Sequence, residues 1–445
     1  MNEEPEDKDE GIFETPSDAE ALGLGRILSN FVIPPQLRND LVSGKRLGKL
    51  MASIVRPDQP LASLSTYASA ARWGTPDLIA QIAPILENLK RVGFETSTVS
   101  NESSKNTAYS EELKSPSDYF EPFEGIIDSF DDLHKAIQKL IQKNPELVLL
   151  WRGQQNSSWG LHSSLFRELM KLNGVHPPDQ KHRITEPFPT ENELVEAERR
   201  ILDQARSNWR VDGTSALEIF ARLQHFGAPT RLIDVSKNPY IAAWFAVESS
   251  DSENDKDGRL FAVATQPVLS PDRAQPAREL THIKGVTAQG YDPFWHALES
   301  NEDRAILEWG TGSIRRFWVP PLYEQRILAQ NGCFIVDGVP MASSGIASYF
   351  KKPNESSKYW KKSDLLAAGS IYTKLYNPSR TIKENKRKNF PPTFTFKITA
   401  KAKCDIRQVL EDRFAYGNST IYPDIEGLAQ YVRGNLADIV NADSA

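Results

Sequence analysis

The sequence predicts an α+β fold, with a mixed, irregular sheet flanked by helices and preceded by a small helical module. Apolar runs of strand length stand at 147–151, 258–264, 333–336 and 393–398. Between and around them, apolar residues recur at helical spacing over 130–143, 190–206, 216–225, 322–331 and 426–435. The two kinds of segment follow one another irregularly and without an internal repeat, which argues against the regular alternation of a doubly wound sheet.

Each helix carries its own reason to start or stop. In Phe130–Lys143 the positions Leu133, Ile137, Leu140 and Ile141 share one face, and Asn144-Pro145 ends the pattern ahead of a strand. Thr190 and Glu193 have the spacing of a capping box, so the helix 190–206 begins there. Ala216–His225 runs into Gly227, a residue suited to the left-handed position after a helix.

Composition sets the outer limits. The chain has 445 residues, 39% hydrophobic and 25% charged, which is ordinary for a globular protein with a sizeable core. Its formal net charge of -6 gives nothing that recruits nucleic acid or an anionic membrane globally, so neither is an expected partner. Cys333 and Cys404 lack any pairing or metal-ligand spacing, which favours a reducing compartment, the cytoplasm by default. The opening Met-Asn-Glu-Glu-Pro-Glu is unlike a secretory leader, and no run of about 18 apolar residues predicts a membrane span.

Along the chain, residues 1–18 read as a disordered acidic tail, 19–95 as the helical module, 96–117 as a linker rich in Ser, Asn, Thr, Glu and Lys, and 118–437 as the main domain. The module contains stretches such as Thr75-Pro76-Asp77-Leu78-Ile79, where a cap is followed by a first-turn proline. It is the expected surface for a protein partner.

The chemistry concentrates in two blocks. The first is Leu147-Val148-Leu149-Leu150-Trp151-Arg152-Gly153-Gln154, an apolar run that stops on an arginine. A strand delivering Arg152 to a surface turn would fix a cation where an anionic ligand can meet it. The second is Gln224-His225-Phe226-Gly227-Ala228-Pro229-Thr230-Arg231-Leu232-Ile233-Asp234, followed by the helix-like stretch from Asn238-Pro239 to Ala246. Other site signals are missing: there is no phosphate loop, no Gly-x-Gly-x-x-Gly, no His-Glu-x-x-His, no Gly-x-Ser-x-Gly and no Cys-x-x-Cys, so no metal site is expected.

With Arg326-Ile327, Gln330, Gly332 and Phe334, and with Tyr422-Pro423-Asp424-Ile425-Glu426-Gly427, these blocks resemble the FRG domain over roughly residues 120–435. That family is named for an aromatic-Arg-Gly motif and is found largely in bacteria and their mobile elements. Trp151 stands where the name has phenylalanine, and Val235-Ser236 where a Trp-Thr pair is common. A strand ending in aromatic-Arg-Gly is also similar to the first motif of arginine-type ADP-ribosyltransferases, whose arginine holds the pyrophosphate region of NAD. That resemblance implies NAD or another nucleotide as ligand, a toxin or defence role, and a late glutamate that polarises a ribose hydroxyl. Glu196-Ala197-Glu198 has the Glu-x-Glu spacing but lies in a charged helix, where a solvated face explains it, leaving Glu324 and Glu426 as alternatives.

On this reading Arg152, His225 and Glu324 are catalytic candidates, and Gly153, Gln154, Thr230, Arg231, Asp234, Asn238 and Gln330 contact the ligand. Each has a structural alternative. Arg152 can pair with a buried carboxylate, Arg231 and Asp234 can brace one turn, and Asn238 can cap the helix after it. His225, Thr230 and Gln330 can satisfy backbone at helix ends, and the tryptophans can line core rather than a stacking platform. A non-catalytic module sensing a nucleotide or protein is the competing function.

Overall fold

A computed structural model describes residues 108–179, 184–269, 281–321, 325–341, 348–353, 358–384 and 390–441, together with Arg278 and Ile346. The tail at 1–18, the module at 19–95 and most of the 96–117 linker lie outside the described residues. The chain divides into two compact units, and everything below belongs to the larger.

One mixed sheet of nine strands organises that unit, an α+β architecture. The strands are β1 (Gly125–Ile127), β2 (Leu149–Gln154), β3 (Ile233–Ser236), β4 (Gly258–Ala264), β5 (His282–Ile283), β6 (Arg316–Trp318), β7 (Gly332–Val336), β8 (Lys374–Leu375) and β9 (Pro392–Ile398). Their spatial order is β1-β9-β4-β2-β3-β7-β6-β5, with β8 also on β9. β2 sits near the centre, antiparallel to β4 over its whole length, from Leu149 opposite Ala264 to Gln154 opposite Arg259, and it meets β3 at Trp151 and Ser236.

Side chains alternate across this sheet, as the pleat requires. Leu150, Phe261, Val263, Ile233, Val235 and Ile335 pack on one side, with helices α2 (Ser164–Leu172), α3 (Glu191–Asp203) and α7 (Lys362–Ala368). Trp151, Leu260, Ala262, Phe394 and Phe396 pack on the other, under α1 (Phe130–Lys143), α5 (Pro239–Val247) and α8 (Ala400–Phe414). Helices α4 (Ala216–His225), α6 (Gln325–Ala329), α9 (Asn418–Ile421) and α10 (Ile425–Asn441) gather at the β3–β7 end.

The sequence signals at helix ends are realised. Thr190 and Glu193 form the capping box of α3, and Gly227 takes φ +82° behind α4. Two expectations change. Arg152 lies within β2, opposite Phe261, because the strand continues past Trp151 to Gln154. Ala108–Ser117, assigned by composition to the linker, is already packed: Leu113 is fully buried, and Ser110 donates its backbone N–H to Asp364 at 2.8 Å. The few apolar residues there, Tyr109 and Leu113, are the ones that enter the core.

Beside that core, His162 is buried, stacked on Phe166 at 5.4 Å, with Nε2 donating to the Leu366 carbonyl at 2.7 Å. Burial, reinforced by Arg167, holds its pKa down to about 4 despite the carbonyl. An unfolded histidine titrates near 6.5, so between pH 6.5 and 4 the unfolded chain takes up a proton that the native one refuses. Stability should therefore fall over that window, by up to about 3 kcal/mol from this group. Urea midpoints at pH 7 and pH 4 should converge for His162→Gln relative to wild type; equal acid sensitivity of the two would contradict the assignment.

Candidate functional site

The end of α4, the strands β3 and β7, α6 and the turn after α9 enclose a cavity of about 210 Å³, walled by Gln224, His225, Asp234, Val235, Arg326, Gln330, Cys333, Phe334 and Tyr422 among others. These residues come from the second, third and fourth sequence blocks, which are separated by up to about two hundred residues of chain and meet here. The cavity is smaller than the roughly 300–1,000 Å³ that encloses a whole drug-sized ligand. It fits part of a larger molecule.

Each wall is fixed by a specific partner. Arg326 donates to both oxygens of Asp424, from Nε at 2.7 Å and Nη2 at 2.6 Å, while its guanidinium lies 5.0 Å from the Tyr422 ring centre. Burial works against the Asp424 carboxylate, but Arg326 and the Gly427 N–H outweigh it and hold its pKa below the usual range. His225 points Nε2 between two carboxylates, 3.8 Å from Asp424 Oδ2 and 3.8 Å from Glu426 Oε2. Gln330 donates Nε2 to the Ile421 carbonyl at 3.2 Å. Behind the wall Tyr422 bonds to Glu248, whose pKa is pushed up to about 7 by burial against the opposing effects of Tyr422 and Arg407. Cys333 is walled in rather than reactive, because burial pushes its thiol up to about 12.

Arg152 stands one residue away from the cavity. Its Nη1 donates to the Asp234 backbone carbonyl at 2.7 Å and reaches the Asp234 carboxylate only at 3.7 Å, and its buried Nε has no hydrogen-bond partner. Burial lowers its pKa and Asp234 partly restores it. Arg152 thus braces the strand that presents Asp234, whose side chain is 64% exposed.

Arg231 does not reach this site. It is buried, with Nε on Glu198 at 2.7 Å, Nη2 on Glu198 at 3.1 Å and Nη1 on Glu191 at 2.8 Å. Burial pulls against its charge, yet the two carboxylates raise its pKa above the ordinary guanidinium value. The expectation that Arg231 contacts an anion is corrected: its donors are consumed inside the core. Glu198, expected on a solvated face, is the buried partner, while Glu196 is the exposed one and pairs with Arg200 at 2.8 Å.

Other candidates have structural employment. Gln154 is buried and donates to the Gly160 carbonyl at 3.1 Å. Thr230 is buried, donates Oγ1 to Gln224 and accepts from the Leu232 N–H at 3.1 Å. Asn238 caps α5, its Oδ1 accepting from the N–H groups of Tyr240 and Ile241, and Nδ2 donates to the Tyr416 hydroxyl at 2.8 Å. Gly153 faces the backbone of α5 instead of a ligand. Glu324 lies outside the described residues. Tyr422, Asp424 and Arg326 form much of the wall or its support without having been singled out as site residues; their signal was membership of the third and fourth blocks.

The fold and cleft define an α+β protein whose separated sequence blocks converge on a small pocket of mixed polar and apolar lining. Residues 148–255 match the family model of the FRG domain, so the chain carries an FRG domain. The match spans β2, β3 and α5, and so contains Arg152, His225 and Asp234, while the walls from α6 and the turn at Tyr422 lie beyond it. No curated protein and no solved structure matches the chain. Among the described residues, no three His, Cys, Asp or Glu are placed to hold a metal ion, His225, Asp424 and Glu426 included, and no helix is long and apolar enough to cross a membrane.

Proposed function

We propose that the cleft is an ADP-ribosyltransferase-like pocket that takes the nicotinamide-ribose end of NAD or the equivalent end of a related nucleotide. The observation that carries this reading is the character of the wall. Asp234 is an exposed carboxylate, and the lining guanidinium, Arg326, is already clamped by Asp424. Such a wall suits a cationic ring and ribose hydroxyls and is a poor seat for phosphate. The cavity of about 210 Å³ leaves the remainder of a dinucleotide outside, on the side where Arg152 stands next to Asp234.

In this reading the bond from ribose C1′ to the nicotinamide nitrogen breaks with its electron pair on nitrogen, which leaves as neutral nicotinamide. Asp234 faces the positive charge that develops at C1′. An acceptor oxygen or nitrogen forms the new bond to C1′ and gives its proton to the ring of His225 in the wall, and the Glu426 carboxylate, its buried Oε2 3.8 Å from His225 Nε2 and without a hydrogen-bond partner, stabilises the charge the ring gains. Glu426 then takes the place of the late glutamate implied by the ADP-ribosyltransferase resemblance, acting behind His225 rather than on a ribose hydroxyl.

Incubating the full chain with NAD and following nicotinamide by chromatography tests the proposal. Release is expected, and His225→Gln should lower it by about 10²–10⁴, the range for losing a general base. Calorimetry showing saturable nucleotide binding with no release of nicotinamide and no adduct would leave a nucleotide-sensing module instead, and absence of both binding and release would remove the nucleotide reading.

A further inference from the structure

Glu248 follows α5 behind the cleft, and its carboxylate is held by neutral donors. The Tyr422 hydroxyl bonds to it from the wall, and Gln155, directly after β2, donates Nε2 to Oε2 at 3.4 Å. The cations around it are spent on other acceptors. Arg407 on α8 donates to the Val247 carbonyl at 2.6 Å and to Asn254 at 3.0 Å, and so acts on Glu248 only through space. Lys403 donates to the carbonyls of Gln155 and Glu253, each at 2.7 Å, and Arg326 is clamped by Asp424. Two other carboxylates share the neighbourhood: Glu411 of α8 accepts from the Trp244 indole at 3.4 Å, and Asp234, 3.7 Å from Arg152, acts on Tyr422 from the cleft.

A buried carboxylate without an ion pair keeps its proton more readily than a paired one. Burial pushes the Glu248 pKa up to about 7 against Tyr422 and Arg407, so its charge changes in the neutral range. Tyr422 stands between this carboxylate and the cavity, its ring packed on Trp244 at 5.8 Å and on Phe245 at 6.1 Å. A negative charge behind a pocket wall attracts a cation placed in the pocket and leaves a neutral guest of the same shape nearly unaffected.

We propose that Glu248 is a specificity-determining residue: with its carboxylate ionised behind Tyr422, the cleft prefers the oxidised, cationic ring of NAD over the neutral ring of NADH. The inference rests on the nucleotide reading and adds to it which redox form of the ligand is taken. Glu248 acts across Tyr422 without touching the ring, so it sets selectivity and carries no proton in the reaction.

Calorimetric titration of the full chain with NAD and with NADH, at several pH values from about 6 to about 8.5, tests this selectivity. The ratio of the two affinities should move in favour of NAD by about tenfold as pH rises across this range, because Glu248 gains its charge. Glu248→Gln keeps the shape of the side chain and should flatten that rise, leaving the preference near its acid value. Tyr422→Phe removes a hydroxyl that favours the ionised carboxylate, so the midpoint of the rise should move to higher pH; this variant carries the test if Glu248→Gln does not fold. The rise should survive in His225→Gln. A ratio that does not change with pH, a rise equally large in Glu248→Gln, a midpoint unmoved in Tyr422→Phe, or a rise lost in His225→Gln would overturn the inference while leaving the nucleotide reading in place. Binding of neither dinucleotide at any of these pH values would remove the nucleotide reading and this inference with it.

Discussion

Replacing Arg231 with leucine is expected to destabilise the protein by about 3–5 kcal/mol, enough to unfold many domains, because it strands two carboxylates in the core. Glu198 is fully buried and takes two of the guanidinium's hydrogen bonds, at 2.7 and 3.1 Å, so its loss is the more damaging. Glu191 keeps the Trp309 indole N–H at 2.8 Å and the Val339 N–H at 2.7 Å. Arg231→Lys should recover little, since one ammonium cannot span both carboxylates in the planar fork geometry. By contrast, combining Arg231→Leu with Glu198→Gln and Glu191→Gln should restore part of the loss, because it removes the uncompensated charges. Urea unfolding of the four proteins separates these outcomes. A variant Arg231→Leu with wild-type stability and abolished nucleotide binding would mean that this guanidinium is a ligand contact after all.

That pair of glutamates shows where a sequence stops being informative. The apolar spacing of α1, the capping box of α3 and Gly227 behind α4 were legible because each is decided within one helix. β4 and β7 were legible as apolar runs, but β1, β5 and β6 are two or three residues long and are strands only because partners lie beside them. α8 shows just Ala402, Ile406 and Leu410 as its inward apolar positions amid eight polar or charged neighbours, too thin a stripe to stand out. At the site, the pattern Gln224–Asp234 pointed to the correct stretch yet could not sort its members. His225 and Asp234 face the cleft, and Arg231 and Thr230 between them turn into the core, a division set by where β3 meets α3 and β7. The convergence of Arg326, Tyr422 and Asp424 on His225 is a tertiary event across blocks that no local spacing encodes.

Gly153→Ala is expected to be among the most damaging single-atom additions to this protein, and the reason revises what its motif means. A Cβ at this position would stand 1.9 Å from the Ala242 carbonyl oxygen and 2.6 Å from the Ala246 nitrogen, both backbone atoms of α5. Contacts that short cannot be relieved by rotating a side chain; β2 and α5 must separate, or the central strand must shift against β4 and β3. The cost should exceed the roughly 1–3 kcal/mol typical of an overpacked core. Because α5 is held at its start by Asn238 and at its flank by Trp244 and Ala243 in the core, it has little freedom to retreat. Glycine in the aromatic-Arg-Gly motif is therefore required for helix-on-strand packing and not for approach of a ligand, while Arg152 beside it ties β2 to the carbonyl of Asp234. Thermal unfolding should show Gly153→Ala melting well below wild type. Any remaining folded fraction should also lose the cleft, since moving β2 moves the brace on Asp234; a variant with a wild-type melting temperature and selectively lost ligand binding would instead place Gly153 in the site.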